Sequence, residues 1–204
     1  MRNINKKYLL KTAIGVLVYL LSYCLSPFFI DYNNLHDLKI FIDDLIPFYS
    51  PSIIIYCLAF FQWIYACYLL CIQKNDSIYA YVHAIAIGSI IGFVIFIVYP
   101  TFIVRPIIET NSFFDRLTSF IYRADIGTTS AFPSFHCFCS TISFFIARDY
   151  ANSKIKIINL ILSILIYAST VLTKQHVIVD IPGGILLALI SITIGKYIHN
   201  TIKK

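Results

Sequence analysis

The stretch IYAYVHAIAIGSIIGFVIFIVYPTFIV, residues 78–104, contains no lysine, arginine, aspartate or glutamate. A helix rising 1.5 Å per residue needs about 20 apolar residues to cross a hydrocarbon layer about 30 Å thick, and this stretch exceeds that length. Five further apolar segments flank it: 8–30 and 51–72 before it, then 134–148, 155–173 and 179–198. The chain is 59% hydrophobic and 13% charged, where soluble domains carry about 25% charged residues. Its charges cluster between the apolar runs. The expected fold is an all-α membrane protein, a six-transmembrane-helix bundle forming one domain over residues 1–204. Segment 134–148 is shorter than the usual length for a span and is also compatible with a re-entrant hairpin.

Charge placement supports six crossings. With the N-terminus in the cytoplasm, one side holds Arg2, Lys6, Lys7, Lys11, Lys74, Arg148, Lys154, Lys156, Lys196, Lys203 and Lys204. The other side holds Lys39, Arg105, Arg116, Arg123 and Lys174. That division, 11 against 5 of the 16 basic residues, follows the positive-inside rule and puts both termini in the cytoplasm. If segment 134–148 did not cross, Arg148, Lys154 and Lys156 would change sides and the bias would shrink. The formal net charge of +6 does not point to a nucleic-acid partner, because the cations are dispersed. The first apolar run is longer than a signal-peptide core and no small-residue cleavage site follows it, so it reads as a retained helix.

The six cysteines lie in or beside apolar runs, without the Cys-rich loops of a disulfide framework, and read as small buried hydrophobes. Residues 31–50 form an acidic loop with Asp31, Asp37, Asp43 and Asp44, in which Leu38, Ile40, Phe41, Leu45 and Ile46 suit a short interfacial helix. Gly88 and Gly92 make a Gly-x-x-x-Gly that hints at close helix packing. His83 reads as an interfacial side chain. His36 and His199 carry no assignment.

The polar residues suited to chemistry fall at segment ends that six crossings bring to one face. They are Arg105-Pro106, Phe132-Pro133-Ser134-Phe135-His136, and Lys174-Gln175-His176 with Asp180. Ionisable groups at one bilayer depth are costly unless they face each other or water. The set suits phosphoryl transfer. Arg105, Lys174 and Ser134 are candidates to bind phosphate oxygens, and histidine can serve as nucleophile or as proton donor. His176 and Asp180 are four residues apart, so one helical turn would align them. The carboxylate would hold one ring nitrogen protonated and leave the other free to attack. Pro182 argues against a regular turn there, which leaves a meeting through a loop as the alternative.

These stretches resemble the signature of the type-2 phosphatidic acid phosphatase superfamily: Lys-x6-Arg-Pro, then Pro-Ser-Gly-His, then Ser-Arg-x5-His-x3-Asp. Arg105-Pro106 matches the end of the first motif, Pro133-Ser134-Phe135-His136 the second except at Phe135, and Ser169, His176 and Asp180 the third. The first motif's lysine falls at Val98 and the third motif's arginine at Thr170. Lys174 and Arg123 are candidates to supply the lost charge. The resemblance implies that His176 is the nucleophile, Asp180 its orienting partner and His136 the acid for the leaving alcohol. It implies that Arg105 and Ser134 hold phosphate oxygens, and that no metal or other cofactor is required.

The expected function is hydrolysis of a lipid phosphomonoester or diphosphate through a phosphohistidine, at the outer face of the membrane. The alternative within the resemblance is a lipid phosphotransferase of the inositol-phosphorylceramide or sphingomyelin synthase kind. A transporter or lipid-binding scaffold is a third reading. That reading calls for charges at mid-depth in the spans, and here they lie at the ends. Oligomeric state is not legible in the sequence.

Overall fold

The computed structural model describes residues 4–109, 111–125 and 127–203; Arg2 and Lys204, two of the expected cytoplasmic cations, lie outside them. Among the described residues the regular structure is helical, with two isolated bridges, His36–Thr101 and Thr101–Ser130, and no strand. The α-helices are α1 (Lys6–Leu25), α2 (Phe41–Leu45), α3 (Ile53–Cys71), α4 (Tyr79–Val98), α5 (Phe113–Ala124), α6 (Phe135–Tyr150), α7 (Ser153–Leu172) and α8 (Asp180–Ile202). Helices α1, α3, α4, α7 and α8 are each long and apolar enough to cross a membrane.

The sixth expected span is the exception. Helix α6 has 16 residues, about 24 Å of rise, which is under the usual length. It is nonetheless one continuous helix and not a hairpin. His136 lies against Tyr56 near the start of α3, Trp63 Nε1 donates to Ser140 Oγ, and Tyr150 meets Ser77 beyond the end of α3. Helix α6 thus runs from one end of the bundle to the other, enclosed by α3, α4, α7 and α8. Enclosure explains why its composition escapes a simple length and hydropathy rule. It carries Ser140, Thr141 and Ser143 on buried positions because its neighbours, not lipid, surround it.

Polarity is distributed inside out relative to a soluble protein. Phe61, Ile64, Val98 and Leu186 are exposed on the outer surface, whereas Gln62, Asn159, Ser163 and Ser191 are buried. The buried groups bond across helices: Gln62 Nε2 donates to Asn159 O at 3.2 Å and Ser163 Oγ at 2.9 Å, and Ser163 Oγ donates to Ser140 O at 3.1 Å. Such bonds contribute about 0.6 kcal/mol each on average in a membrane, so they fix register more than stability. An apolar exterior of this extent is what a lipid-facing bundle requires.

Gly88 and Gly92 have the close-packing role expected of them. A Cβ at Gly92 would lie 2.3 Å from the ring of Phe135, and one at Gly88 would lie 2.3 Å from Phe138. Helix α4 therefore seats two rings of α6. This accounts for Phe135 standing where the resembling motif has glycine, since the missing side chain at Gly92 provides its space. The cysteines follow the expectation only in part: Cys71 and Cys137 are buried, but Cys24 is exposed. The short helix expected in the acidic loop is α2, with Phe41 and Leu45 exposed.

Candidate functional site

The two ends of the bundle divide the cations as the sequence suggests. Lys39, Arg105, Arg116, Arg123 and Lys174 lie at the end where α1, α4 and α7 finish and α3, α6 and α8 begin. The described members of the larger set lie toward the opposite end. At the first end the imidazoles of His136 and His176 have ring centroids 6.0 Å apart, although forty positions separate them in the chain.

The turn that carries His176 is built by the end of α7. Gln175 N donates to Thr170 O at 2.9 Å and Lys174 N to Val171 O at 3.1 Å, the paired bonds of a Schellman motif. Lys174 occupies the left-handed position of that motif with φ 52°, where glycine is usual. A lysine there is held by its head: Nζ donates to Asp43 O at 2.9 Å and Ile46 O at 2.6 Å. Asp43, which is buried, accepts from Ile178 N at 2.8 Å through Oδ1. The acidic loop is therefore not a free surface loop, because Asp43 and Lys174 strap it to the turn around His176.

His176 Nδ1 lies 3.0 Å from Asp180 Oδ2, which also accepts from Val177 N at 3.1 Å. The pair meets across a loop-to-helix junction, since α8 begins at Asp180. Pro182 sits in the first turn of α8, where no intrahelical donor is lost. The carboxylate also stands at the helix N-terminus, which favours its negative charge. With Nδ1 committed to Asp180, the other nitrogen, Nε2, is the one left for chemistry.

His136 sits in the first turn of α6. Tyr56 stacks on it at 4.2 Å, and Trp63 and Phe60 surround it at 5.2 and 6.0 Å. Ser134 caps the helix, its Oγ accepting from Cys137 N at 3.3 Å, and its own N–H donates to Asp180 O at 3.2 Å. A Cβ at Gly184 would lie 2.3 Å from Ser134 O, so glycine lets the starts of α6 and α8 touch.

Arg105 enters the same cluster from the segment after α4. Its guanidinium donates to Tyr122 O at 2.9 Å, Gln175 Oε1 at 2.5 Å and the carboxylate of Asp125, and it lies over the Tyr122 ring at 4.7 Å. Asp125 also accepts from Tyr23. Helix α5 supplies Tyr122 and is started by a capping box, with Ser112 Oγ accepting from Asp115 N and Asp115 Oδ2 accepting from Ser112 N. Burial pushes the Tyr122 phenol up to about 12, with Arg105 opposing, so it stays a neutral donor to Thr173 O.

Of the sequence candidates, His136, His176, Asp180, Arg105 and Ser134 come together, and Lys174 does not, because its ammonium is turned to the α2 loop. Val98 is exposed on α4, Thr170 is buried in α7 and Arg123 is exposed on α5, so none of the three brings a cation to the cluster. Gln175, Asp125, Tyr23 and Tyr56 had no role assigned to them from the sequence. Gln175 adjoins His176 and so was within reach, whereas Tyr23 lies in a first helix with no motif around it.

A small polar cavity of about 10 Å³ is lined by His136, His176, Gln175, Asp125, Tyr23 and Tyr56, among others. Near it Arg105 Nε, Gln175 Nε2, His136 Nε2 and Asp180 Oδ1 are buried without a partner among the described residues. Unsatisfied buried donors cost about 1–3 kcal/mol each, and a group that only accepts hydrogen bonds would relieve Arg105 Nε and Gln175 Nε2. A phosphate is such a group. A family model described as the PAP2 superfamily matches residues 38–194. No curated protein and no solved structure matches the chain.

Proposed function

The chain belongs to the PAP2 superfamily, and from that membership we propose that it is an integral membrane lipid phosphatase acting through a phosphohistidine on His176. The family supports phosphatase or phosphotransferase chemistry on lipid phosphates. The observation that carries the finer reading is the pair of imidazoles 6.0 Å apart beside unpartnered donors. A phosphorus atom between the two rings would have a nucleophile on one side and an acid on the other.

In the first step His176 Nε2 bonds to phosphorus as the bond to the lipid-bearing oxygen breaks. His136 gives its proton to that oxygen, and the alcohol or, from a diphosphate, the lipid monophosphate departs. Asp180 stabilises the charge that grows on the His176 ring. Arg105 and Gln175 hold the phosphoryl oxygens, with Ser134 and the start of α6 nearby. In the second step water attacks the phosphohistidine and returns a proton to His136, freeing inorganic phosphate and His176.

Water is favoured as the acceptor because it needs no second binding site. On this reading α6 is a sixth crossing, both termini are cytoplasmic and the histidines face the outer side. The test is phosphate release from lipid phosphates by the purified chain in detergent, repeated with an alcohol acceptor. Hydrolysis gives inorganic phosphate at a rate the alcohol does not change. Phosphorylated alcohol as the main product would turn the assignment to the transferase, and no release from any phosphate ester would remove it.

A further inference from the structure

Helix α5 brings Tyr122 to Arg105 from one side, and its other side has no part in that chemistry. The helix packs on the start of α3 at the histidine end of the bundle, with Thr118 buried beneath it. Phe113, Arg116, Phe120 and Arg123 are exposed on the opposite side, the two rings at 67% and 64%. At 3.6 residues per turn, Phe113 and Phe120 project within about 20° of each other, as do Arg116 and Arg123, and the two pairs stand about 60° apart. The outer surface of α5 is thus an apolar strip running beside a cationic one. Val104 and Ile107, in the segment leading into α5, are also exposed.

The other cations at this end are engaged. Lys39 pairs with Asp44, Arg105 with Asp125, and Lys174 donates to Asp43 O and Ile46 O. Arg116 and Arg123 make no side-chain hydrogen bond or ion pair among the described residues. Asp115, next to Arg116 in the chain, accepts from Ser112 N and Ser112 Oγ instead. A strip of phenyl rings is unfavourable against water, and two guanidiniums are costly in hydrocarbon. The boundary between water and hydrocarbon meets both needs. There the rings enter the edge of the acyl region and the guanidiniums reach the lipid phosphates.

We propose that the exposed face of α5 is a docking surface for anionic lipid headgroups, with Arg116 and Arg123 on the lipid phosphates and Phe113 and Phe120 in the acyl boundary. The proposal goes beyond the phosphatase reading: it needs the bundle to span a membrane and is independent of the chemistry at His176. Charge complementarity selects the occupant. The exposed residues of α5 include two cations and no carboxylate, so a lipid of net negative charge is held more tightly than a zwitterionic one, whose own cation is repelled. Each arginine beside an anionic surface adds roughly a fivefold preference, and the preference fades as salt screens it.

The test places the full chain in nanodiscs of phosphatidylcholine with a minority of phosphatidylglycerol. Two photoreactive probes are compared, phosphatidylglycerol and phosphatidylcholine, each carrying a diazirine in the headgroup region. Peptides covering residues 113–124 are expected to be labelled at least about fivefold more by the anionic probe. Salt at about 1 M, where the screening length falls to about 3 Å, should remove most of that preference in the unaltered chain. The Arg116→Gln, Arg123→Gln double variant should label equally with the two probes, whereas Lys39→Gln, at a cation already paired with Asp44, should keep the preference. Equal labelling of the unaltered chain by both probes, or a preference that survives the double variant, would overturn the proposal. So would α5 peptides that neither probe labels, which would turn this face to water or to another protein. Labelling is read without turnover, so its failure leaves the phosphatase reading standing, and absence of phosphate release leaves the docking surface standing.

Discussion

Helix α6 ends at both extremities in a carboxylate, an arginine and a tyrosine, yet the two ends differ in kind. At its C-terminal end Asp149 accepts from Arg148 Nε at 2.9 Å and from Tyr81 at 2.5 Å, with Lys196 Nζ at 3.9 Å. At its N-terminal end Asp125 accepts from Arg105 and Tyr23. Around Asp149 the donors and the acceptor satisfy one another. At the Asp125 end Arg105 Nε, Gln175 Nε2 and His136 Nε2 stay unpartnered beside two imidazoles. The same residue types make an ion-pair clasp at one end and, at the other, a cluster with buried nitrogens left unpartnered. Unmet hydrogen-bonding capacity, not charge content, separates them.

Substitutions can break this contrast. The largest effect is expected from His176→Ala, which should lower kcat by about 10⁴-fold or more, as loss of a nucleophile does. His136→Ala should lower kcat/KM, which reports the first step, by roughly 10²–10⁴-fold on alkyl phosphates and far less on an aryl phosphate whose leaving group needs no proton. Equal losses on both substrates would contradict its role as acid. Arg105→Met should lower kcat/KM by about 10²–10³-fold, whereas Arg148→Met at the clasp should leave it within about threefold. A similar loss in the two variants would erase the distinction between the ends.

Smaller effects sharpen the comparison. Gln175→Leu, which removes one neutral donor, should cost about tenfold in kcat/KM with little change in thermal stability. Asp43→Asn loosens the strap over the His176 turn and should lower kcat several-fold while leaving KM for a short-chain phosphate unchanged. Asp149→Asn should destabilise the bundle by about 1 kcal/mol and leave turnover as it was. Steady-state kinetics beside thermal unfolding in detergent would separate these outcomes.

The helices were legible because membrane spans are written as runs of one property, and hydropathy alone finds five of the six expected. The short α6 was legible only through charge placement, because its burial by protein removes the need for an unbroken apolar run. In the site, His136, His176, Asp180 and Arg105 were legible because their spacings are fixed by the chemistry they resemble. Lys174 misled, since a cation two positions from a histidine looks like a phosphate ligand. Its left-handed backbone turns the side chain toward Asp43 and Ile46, and sequence does not record that geometry. Gln175 was the reverse case: it stood in a quoted stretch with no role of its own, and its Oε1 accepts from Arg105. Tyr23 and Tyr56, from α1 and α3, join the site only through helix packing, which no local pattern announces.

The most direct trial of the central claim is chemical. His136→Ala, given an aryl phosphate, should pass the first step and stall at the second, so that acid-labile phosphate accumulates on the protein. Peptide mass spectrometry under alkaline conditions is expected to find that phosphate on His176 and to lose it in the His136→Ala, His176→Ala double variant. Phosphate bound to another residue, or turnover with none bound at all, would contradict the pairing of the two imidazoles on one phosphorus.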